Sequence, residues 1–164
     1  MAKIVIIGAG AMGTAFALPC LDNNHDINIV GTHLENDFIE ELKNTNNLHP
    51  SLNTQIPQEI KIFKFEKFEE LLKSNVDLIV LGISSKGIEW VSDQLGKLYK
   101  DNAIPKLLML TKGLSIYKNQ YELLVDKLER LLADRGIKKA DISAVGGPCL
   151  AAGLANRVHS SVVI

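Results

Sequence analysis

Short apolar runs alternate with segments of helical periodicity along most of the chain. Each run is four residues long and rich in Ile, Val and Leu, which is typical of strands buried on both faces. The runs are residues 4–7, 27–30, 60–63, 78–81, 107–110, 142–145 and 161–164. Apolar side chains three and four residues apart predict helices over residues 11–23, 37–43, 68–73, 87–98 and 120–135.

The alternation of strand and helix predicts right-handed crossovers and therefore a mostly parallel, doubly wound α/β sheet. Pro19 is expected to kink or shorten the first helix, because proline has no backbone N–H. Residues 44–58 are mostly polar, and we expect a long surface excursion there before the third strand. Trp90 lies with Val91 and Leu95 on the apolar face of a predicted helix, which favours a place in the core.

The first apolar run leads directly into a glycine-rich turn. Gly8, Gly10 and Gly13 form a G-x-G-x-x-G pattern between the first predicted strand and the first predicted helix. In dinucleotide-binding proteins these glycines permit a tight turn, close approach of the backbone to a pyrophosphate, and close packing of the helix. The phosphates then lie on the free N–H groups near Ala11 and Met12. The motif predicts a Rossmann fold that binds NAD or NADP.

The end of the second predicted strand bears on the choice between these two cofactors. Enzymes specific for NAD often present an acid there, about 20 residues after the glycine turn, to hold the adenosine ribose. Thr32 and His33 follow the strand instead, so we expect no carboxylate at this point and lean towards NADP or dual use. Alternatively, Thr32 only starts a turn, and Glu35 or Asp37 caps the next helix.

Two later strand ends carry further candidate residues, since ligands of doubly wound sheets bind beyond the carboxyl ends of the strands. Ser84 and Ser85 follow one strand, where they border the cofactor, cap the next helix, or do both. Lys112 follows another strand. It is either an ordinary exposed loop residue or the partner of a phosphorylated or carbonyl substrate, because a buried lysine needs a negative partner.

Composition narrows the class of protein. The 164 residues are 46% hydrophobic and 23% charged, which predicts one α/β domain over residues 1–164. A net charge of -1, with basic residues scattered among acids, disfavours nucleic acid as a partner. Two cysteines and the short apolar runs disfavour a disulfide framework and a membrane span. The first predicted strand begins near residue 1, which leaves no room for a signal peptide before it, so we expect a cytoplasmic protein. The four histidines lack metal-ligand spacing, and we expect no metal site.

Four motifs in one order point to a known family. They are the glycine turn with Thr14-Ala15, then Ile83-Ser84-Ser85, Thr111-Lys112-Gly113-Leu114 and Gly146-Gly147-Pro148-Cys149-Leu150-Ala151. Together they resemble the N-terminal half of the NAD(P)-dependent glycerol-3-phosphate dehydrogenases over essentially the whole chain. The Ala11-Met12 turn, Val30-Gly31-Thr32 and His49-Pro50 resemble archaeal members in particular. Gly146 stands where the family usually has serine, and Ala152-Gly153 where it usually has a charged pair.

The resemblance implies a role for each motif residue in the reduction of dihydroxyacetone phosphate to glycerol 3-phosphate, a precursor of membrane phospholipids. Residues implied to bind NAD or NADP are Gly8, Gly10, Ala11, Met12, Gly13, Thr32, Ser84, Ser85, Lys112, Cys149 and Ala151. Lys112 and Gly147 are implied to face the substrate beside the nicotinamide. In this family a helical C-terminal domain supplies the general-acid lysine and the residues that hold the substrate phosphate.

That C-terminal domain has no counterpart in residues 1–164, so we expect this chain alone to bind cofactor with little or no turnover. The apolar end at residues 160–164 reads as a strand cut short within a longer protein, and its exposed face predicts self-association. Two alternatives stay open. One is the cofactor half of a related reductase of the ketopantoate or 6-phosphogluconate type, and the other is a non-catalytic dinucleotide-sensing module.

Overall fold

The computed structural model describes residues 1–164 as ten strands and six α-helices. The strands are β1 Lys3–Ile7, β2 Asp26–Val30, β3 Leu48–His49, β4 Thr54–Gln55, β5 Lys61–Phe63, β6 Leu78–Leu81, β7 Lys106–Met109, β8 Leu114–Tyr117, β9 Gln120–Leu123 and β10 Ile142–Ala144. The helices are α1 Ala11–Asp22, α2 Asn36–Asn44, α3 Phe68–Lys73, α4 Ile88–Tyr99, α5 Leu124–Asp134 and α6 Ala151–Ala155. Short 3₁₀ turns precede α3 at Phe65–Lys67 and α4 at Ser85–Gly87.

Six strands form one parallel sheet in the order β10-β7-β6-β1-β2-β5. The chain winds outwards from β1 in both directions, which confirms the predicted doubly wound α/β fold. Ile7 pairs with both Val30 of β2 and Leu81 of β6, so these three strands end at the same level. The loops after them therefore meet at the carboxyl edge of the sheet, where the winding reverses and ligands of this fold bind.

Hydrophobic layers cover both faces of the sheet, as the continuous apolar runs predict. Along β1, Ile4 and Ile6 face the layer of α1 and α2, whereas Val5 and Ile7 face the layer of α3, α4 and α5. All four side chains are buried, and each contributes about 1.5–3 kcal/mol relative to an exposed position. The two layers hold the sheet rigid and fix the positions of the loops at its carboxyl edge.

None of the six helices is long and apolar enough to cross a membrane.

Pro19 does not shorten the first helix, so that part of the prediction is wrong. Helix α1 continues from Pro19 to Asp22. The proline removes one backbone donor, but its own carbonyl still accepts a hydrogen bond from the N–H of Asn23 at 3.2 Å. One missing donor near the end of the helix is tolerated because the chain ends its helical path only one turn later.

The helix predicted over residues 120–135 begins only at Leu124, because β9 occupies its first four positions. Lys118 and Asn119 both have positive φ, which matches the two-residue turn that joins antiparallel strands, and β8 and β9 form a hairpin around it. One face of this ribbon is apolar and exposed. It consists of Leu114, Ile116, Tyr121 and Leu123.

The polar stretch at residues 44–58 is not simply a surface excursion. It forms the small hairpin β3–β4, and its apolar side chains Leu52 and Ile56 are buried in the layer of α1 and α2. His49 is also buried, at 1% exposure. The asparagines in this stretch supply turns of positive φ at Asn46, Asn47 and Asn53, which lets a polar sequence fold back onto the core.

The last apolar run, residues 161–164, was predicted as a buried strand, and this is wrong. Only one antiparallel bridge forms, between Val163 and Gly146, and Val162, Val163 and Ile164 remain exposed. The run lies against the loop after β10 rather than beside a strand, so it has no ladder to join. A bidentate ion pair from Arg157 to Asp22, at 2.8 and 2.9 Å, ties this region to α1.

Candidate functional site

The glycine turn brings three backbone segments into direct contact. Gly8 has a φ of +104°, and a Cβ added there would lie 2.7 Å from the carbonyl oxygen of Gly82. A Cβ on Gly82 would in turn lie 2.8 Å from the Cα of Gly13. Only glycine fits these positions, so α1 is seated directly on the ends of β1 and β6. The predicted tight turn at Gly8 and close packing at Gly13 are confirmed.

Gly10 differs from its neighbours because the protein itself does not need a glycine there. Its backbone is extended, with φ of -68° and ψ of 174°, and the nearest atom to an added Cβ is Glu35 Oε1 at 4.0 Å. Gly10 is also the N-cap of α1, and the N–H of Thr14 is the first to bond back to it, at 3.0 Å. The N–H groups of Ala11 and Met12 therefore precede the helical hydrogen bonds and are available to an anion.

One cavity of about 560 Å³ opens beside this turn, and we call it the Trp90 cavity. Its lining comes from the loops after β1, β2 and β6 and from the start of α4. The lining residues are Gly10, Thr32, His33, Leu34, Glu35, Gly82, Ile83, Ser84, Lys86, Gly87 and Trp90. The structure thus brings together three of the predicted cofactor residues, Gly10, Thr32 and Ser84.

Glu35 supplies the carboxylate that the sequence analysis did not expect at this point. Its two oxygens accept hydrogen bonds from the N–H of Ala9 at 3.0 Å and from the N–H of Thr32 at 2.7 Å. The carboxylate thereby joins the glycine turn to the end of β2, and its side chain makes no cap bond to α2. Glu35 lies beyond the strand end at which an acid was sought in the sequence. The spacing Thr32-x-x-Glu35, typical of a glutamate that accepts a hydrogen bond from the N–H three residues earlier, was the sequence signal for this contact.

Trp90 lines the cavity and is only half-buried, so its assignment to the core was incomplete. Its indole packs at 5.7 Å on Phe65 and at 5.8 Å on Phe68, measured between ring centroids. On the cavity side the His33 ring lies 5.1 Å away. The aromatic surface held in place by the phenylalanines suits a flat heterocycle. Lys86, a second residue that sequence reasoning missed, adds a positive charge to the same wall.

A second cavity of about 220 Å³ lies along one side of α1, from Met12 to Pro19, and we call it the Lys112 cavity. Its lining is mostly apolar and comes from four separate regions of the chain. The residues are Met12, Phe16, Pro19, Leu110, Lys112, Val145, Cys149, Leu154, Val158, Ser160, Val162 and Ile164. Met12 of the glycine motif, Lys112 and Cys149 of the last motif therefore share one cavity, although 100 residues separate the first two in sequence.

Lys112 is held at the mouth of this cavity. Its side chain is exposed, and its ammonium group donates a hydrogen bond to the carbonyl oxygen of Gly147 at 2.7 Å. The preceding residue fixes the loop, since the hydroxyl of Thr111 donates to the carbonyl of Ile83 at 2.6 Å. Gly147 has a φ of +102°, and a Cβ there would lie 2.8 Å from the carbonyl of Ser161. The lysine thus has a defined position with a free face towards the cavity.

Five of the predicted cofactor residues line neither cavity: Gly8, Ala11 and Gly13, which lie in the glycine turn itself, and Ser85 and Ala151. Ser85 is exposed and begins the 3₁₀ turn before α4, next to the lining residue Ser84. Ala151 is half-buried at the first position of α6 and packs towards the layer of α1 and α2. Cys149, by contrast, is buried in the wall of the Lys112 cavity.

His49 contacts the glycine turn from the buried side, through the carbonyl group of Ala9. Its Nε2 lies 3.3 Å from the carbonyl oxygen of Ala9, and Phe38 packs edge-on against its ring at 5.3 Å. Its Nδ1 is buried with no hydrogen-bond partner. Burial therefore lowers the pKa of His49, because a charged imidazolium there would lose its hydration.

This shift predicts a dependence of stability on pH. A histidine whose pKa is lowered in the folded state contributes fully above its unfolded value of 6.5, and the contribution is lost as the pH falls below that value. We expect the free energy of unfolding to fall more between pH 7.5 and pH 5.5 in the natural protein than in a His49→Leu variant. Urea denaturation of both proteins at each pH measures this difference. An equal fall in both proteins would show that His49 does not contribute.

Known proteins with similar sequences are glycerol-3-phosphate dehydrogenases. The family model described as the NAD-dependent glycerol-3-phosphate dehydrogenase N-terminus matches residues 3–164. The NADP(+)-dependent glycerol-3-phosphate dehydrogenase of Archaeoglobus fulgidus is 29% identical over 160 residues, covering 98% of this chain and 45% of that protein. A glycerol-3-phosphate dehydrogenase [NAD(P)+] of Streptococcus agalactiae is 32% identical over 146 residues, covering 89% of this chain and 40% of that protein. The chain thus spans less than half the length of these curated relatives.

Solved structures show the same fold. The glycerol-3-phosphate dehydrogenase of Coxiella burnetii superposes with a TM-score of 0.77 at 22% identity, covering 98% of this chain and 45% of that one. A pyrroline-5-carboxylate reductase from the same organism has a TM-score of 0.58 at 16% identity, covering 92% of this chain and 46% of that one. At these identities the superpositions establish the fold alone.

Proposed function

Since the chain belongs to the family of NAD-dependent glycerol-3-phosphate dehydrogenases, as their N-terminal part, we propose that it is the dinucleotide-binding half of such an enzyme. The complete enzyme would interconvert dihydroxyacetone phosphate and glycerol 3-phosphate in the cytoplasm. The observation that carries this proposal is the convergence of Met12, Lys112 and Cys149 on one cavity at the carboxyl edge of the sheet. A glycine turn alone indicates only a dinucleotide, whereas this convergence provides a place for a substrate beside it.

The shape of the site fits an extended dinucleotide. Gly10 leaves an open cradle next to the N–H groups that begin α1, which suits the pyrophosphate. The Trp90 cavity on one side would take the adenosine end, with Thr32 and Ser84 in its wall. The nicotinamide end would then lie towards the Lys112 cavity, near Met12 and Cys149. A bound nicotinamide cofactor supplies the hydride; the residues described here bind and orient it.

Lys112 has the chemistry to hold the substrate. Its ammonium group carries up to three donors, of which one bonds to Gly147, so the others can bond to a carbonyl or phosphate oxygen. Gly147 and the loop around it set the position of that charge. Efficient reduction also needs a group that protonates the substrate oxygen and a site that excludes water. Lys112 is exposed, so we propose that the part of the enzyme beyond these residues supplies both.

The exposed position of Lys112 suggests that the complete enzyme has two domains. We assign residues 1–164 to the NAD(P)-binding domain and propose that a C-terminal helical domain, as in the longer relatives, packs over the Lys112 cavity. The apolar side chains at the cavity's rim, Val162 and Ile164, are 45% and 73% exposed and are suited to such a contact. Without that contact the same side chains favour self-association, which the molecular mass in solution at high concentration tests.

Replacement of Lys112 tests the substrate role. In the chain completed by the C-terminal half of a curated relative, Lys112→Ala is expected to lower kcat/KM for dihydroxyacetone phosphate by roughly ten- to a hundredfold, the range for a lost hydrogen bond from a charged group. The affinity for NADH should change much less. Lys138→Ala, at an exposed lysine remote from both cavities, is the matched control. Equal activity of the two variants would remove Lys112 from the substrate site.

A dinucleotide-sensing module is the second candidate, because the glycine turn and the Trp90 cavity would serve a sensor as well as an enzyme. The same completed protein separates the two functions. Recovery of dihydroxyacetone phosphate reduction excludes a pure sensor. Cofactor binding that stays without turnover, when the C-terminal half of the relative is itself shown to fold, supports the sensor instead.

A further inference from the structure

We propose that Glu35 makes this site prefer NAD(H) over NADP(H). The inference rests on the proposed function, because it concerns the adenosine end of the same dinucleotide. It differs from the expectation drawn from Thr32 and His33 alone, and from the NADP(+) dependence named for the Archaeoglobus fulgidus relative. Its basis is the position of one carboxylate.

The carboxylate of Glu35 lies in the wall of the cavity to which the proposed function assigns the adenosine end of the dinucleotide. It lines the Trp90 cavity and is the nearest group to the open side of Gly10, at 4.0 Å from an added Cβ. Its two hydrogen bonds, to the N–H groups of Ala9 and Thr32, fix both oxygens. An ionised carboxylate has about four acceptor positions, so two remain for the 2′ and 3′ hydroxyls of a ribose.

The 2′-phosphate of NADP(H) would be repelled by the same carboxylate. The phosphate carries between one and two negative charges at neutral pH, and it has no proton to donate in its dianionic form. Like charges a few ångströms apart repel even where water screens them. The repulsion is strongest for Glu35 because its carboxylate is held in place and cannot turn away without giving up two hydrogen bonds to the backbone.

Two other side chains in the cavity, a lysine and a histidine, act against the preference for NAD(H). Lys86 and His33 both line the Trp90 cavity and could face a 2′-phosphate. Lys86 is exposed and makes no hydrogen bond or ion pair with the protein, so its ammonium group is free to move and is well hydrated. A mobile, hydrated charge contributes little compared with a fixed one. The fixed carboxylate therefore decides the selectivity.

Glu35 also has a structural role, which the experiment must separate from selectivity. Loss of its bonds to Ala9 and Thr32 would loosen the turn and weaken both cofactors by a similar factor. Selectivity, by contrast, changes the ratio of the two dissociation constants. The ratio is therefore the quantity to measure.

The test titrates the natural chain, Glu35→Gln and the control Glu129→Gln with NADH and with NADPH. Glu129 is an exposed acid on α5 with no hydrogen bond or ion pair, so its replacement makes the same change in net charge away from the cavity. We expect the natural chain and the control to bind NADH at least about tenfold more tightly than NADPH. In Glu35→Gln this ratio should fall about tenfold. Lys86→Ala should change this ratio much less than Glu35→Gln does.

A second measurement needs no variant and holds even if Glu35→Gln fails to fold. Salt screens charge repulsion, so the preference of the natural chain for NADH should shrink between 0.05 and 0.5 M NaCl, concentrations that span roughly 14 to 4 Å of Debye length. Failure of both cofactors to bind would overturn the proposed function itself. Binding of both with equal affinity, or equal weakening of both by Glu35→Gln with a preference independent of salt, would overturn only the role of Glu35.

Discussion

Replacement of Gly10 by alanine is expected to weaken cofactor binding by roughly a hundredfold while leaving the protein folded. The nearest protein atom to the added methyl group is Glu35 Oε1 at 4.0 Å, an ordinary contact, so the methyl would project into the open cradle beside the start of α1. Overpacking against a pyrophosphate should cost about 3 kcal/mol of binding free energy. The unfolding free energy should fall by at most about 1 kcal/mol, through the poorer N-cap.

Isothermal titration with NADH and urea denaturation of the same preparation measure the two effects. Their separation is the informative result, because it would show that the absence of a side chain at Gly10 serves the ligand and not the fold. Unchanged affinity for NADH in a folded Gly10→Ala protein would place the pyrophosphate elsewhere and would refute the assignment of the cradle.

Replacement of Gly13 by alanine is expected to act in the opposite way, by destabilising the fold. A Cβ at Gly13 would lie 2.5 Å from the carbonyl oxygen of Gly8 and 3.3 Å from the side chain of Ile6. Both are parts of the rigid first strand and turn, so α1 must move away from the sheet. We expect the unfolding free energy to fall by about 3 kcal/mol, even though alanine suits a helix better than glycine does.

Gly153→Ala is the matched control for this substitution. Gly153 also lies within a helix, α6, but the nearest atom to its added Cβ is on Val158 at 3.9 Å, an ordinary contact. Urea denaturation should find this variant as stable as the natural protein or slightly more stable. If Gly13→Ala were equally well tolerated, the close seating of α1 on β1 would not contribute to stability as described.

The sheet could be predicted from sequence because its strands are short apolar runs buried on both faces. Such runs are hard to confuse with surface segments, and the six sheet strands lie within a residue of their predicted bounds. The run at residues 161–164 has the same composition but no neighbouring strand to pair with. Composition reports the tendency to be buried, whereas a strand also needs a partner, which only the fold provides.

The hairpin β8–β9 shows a second limit. Its second strand falls within the helix predicted over residues 120–135, because Leu123 and Leu124 share a helical face with the leucines at positions 128, 131 and 132. The deciding residues were Lys118 and Asn119, whose positive φ produces the turn. Asparagine is common in such turns but lysine is not, so the local signal was weak.

In the candidate site, motif residues could be predicted but the groups that face them from other segments could not. Gly10, Met12, Thr32, Ser84, Lys112 and Cys149 line the two cavities as their motifs suggest. Glu35 and Trp90 reach the Trp90 cavity through the fold of the loops that carry them. Glu35 bends back to Ala9, and Trp90 is turned outwards by Phe65 and Phe68 beneath it. Side-chain direction of this kind depends on packing that the linear pattern does not contain.

Binding of a dinucleotide across the glycine turn can be tested by titrating this chain with NADH while recording the fluorescence of Trp90. Trp90 is the only tryptophan in the chain and lines the cavity assigned to adenosine, so its emission, corrected for the absorbance of NADH, reports cofactor bound close to this indole. We expect saturable quenching with one NADH per chain, and we expect it to be absent in Gly10→Ala. A linear response without saturation, or saturation that Gly10→Ala leaves unchanged, would contradict a dinucleotide bound across the glycine turn.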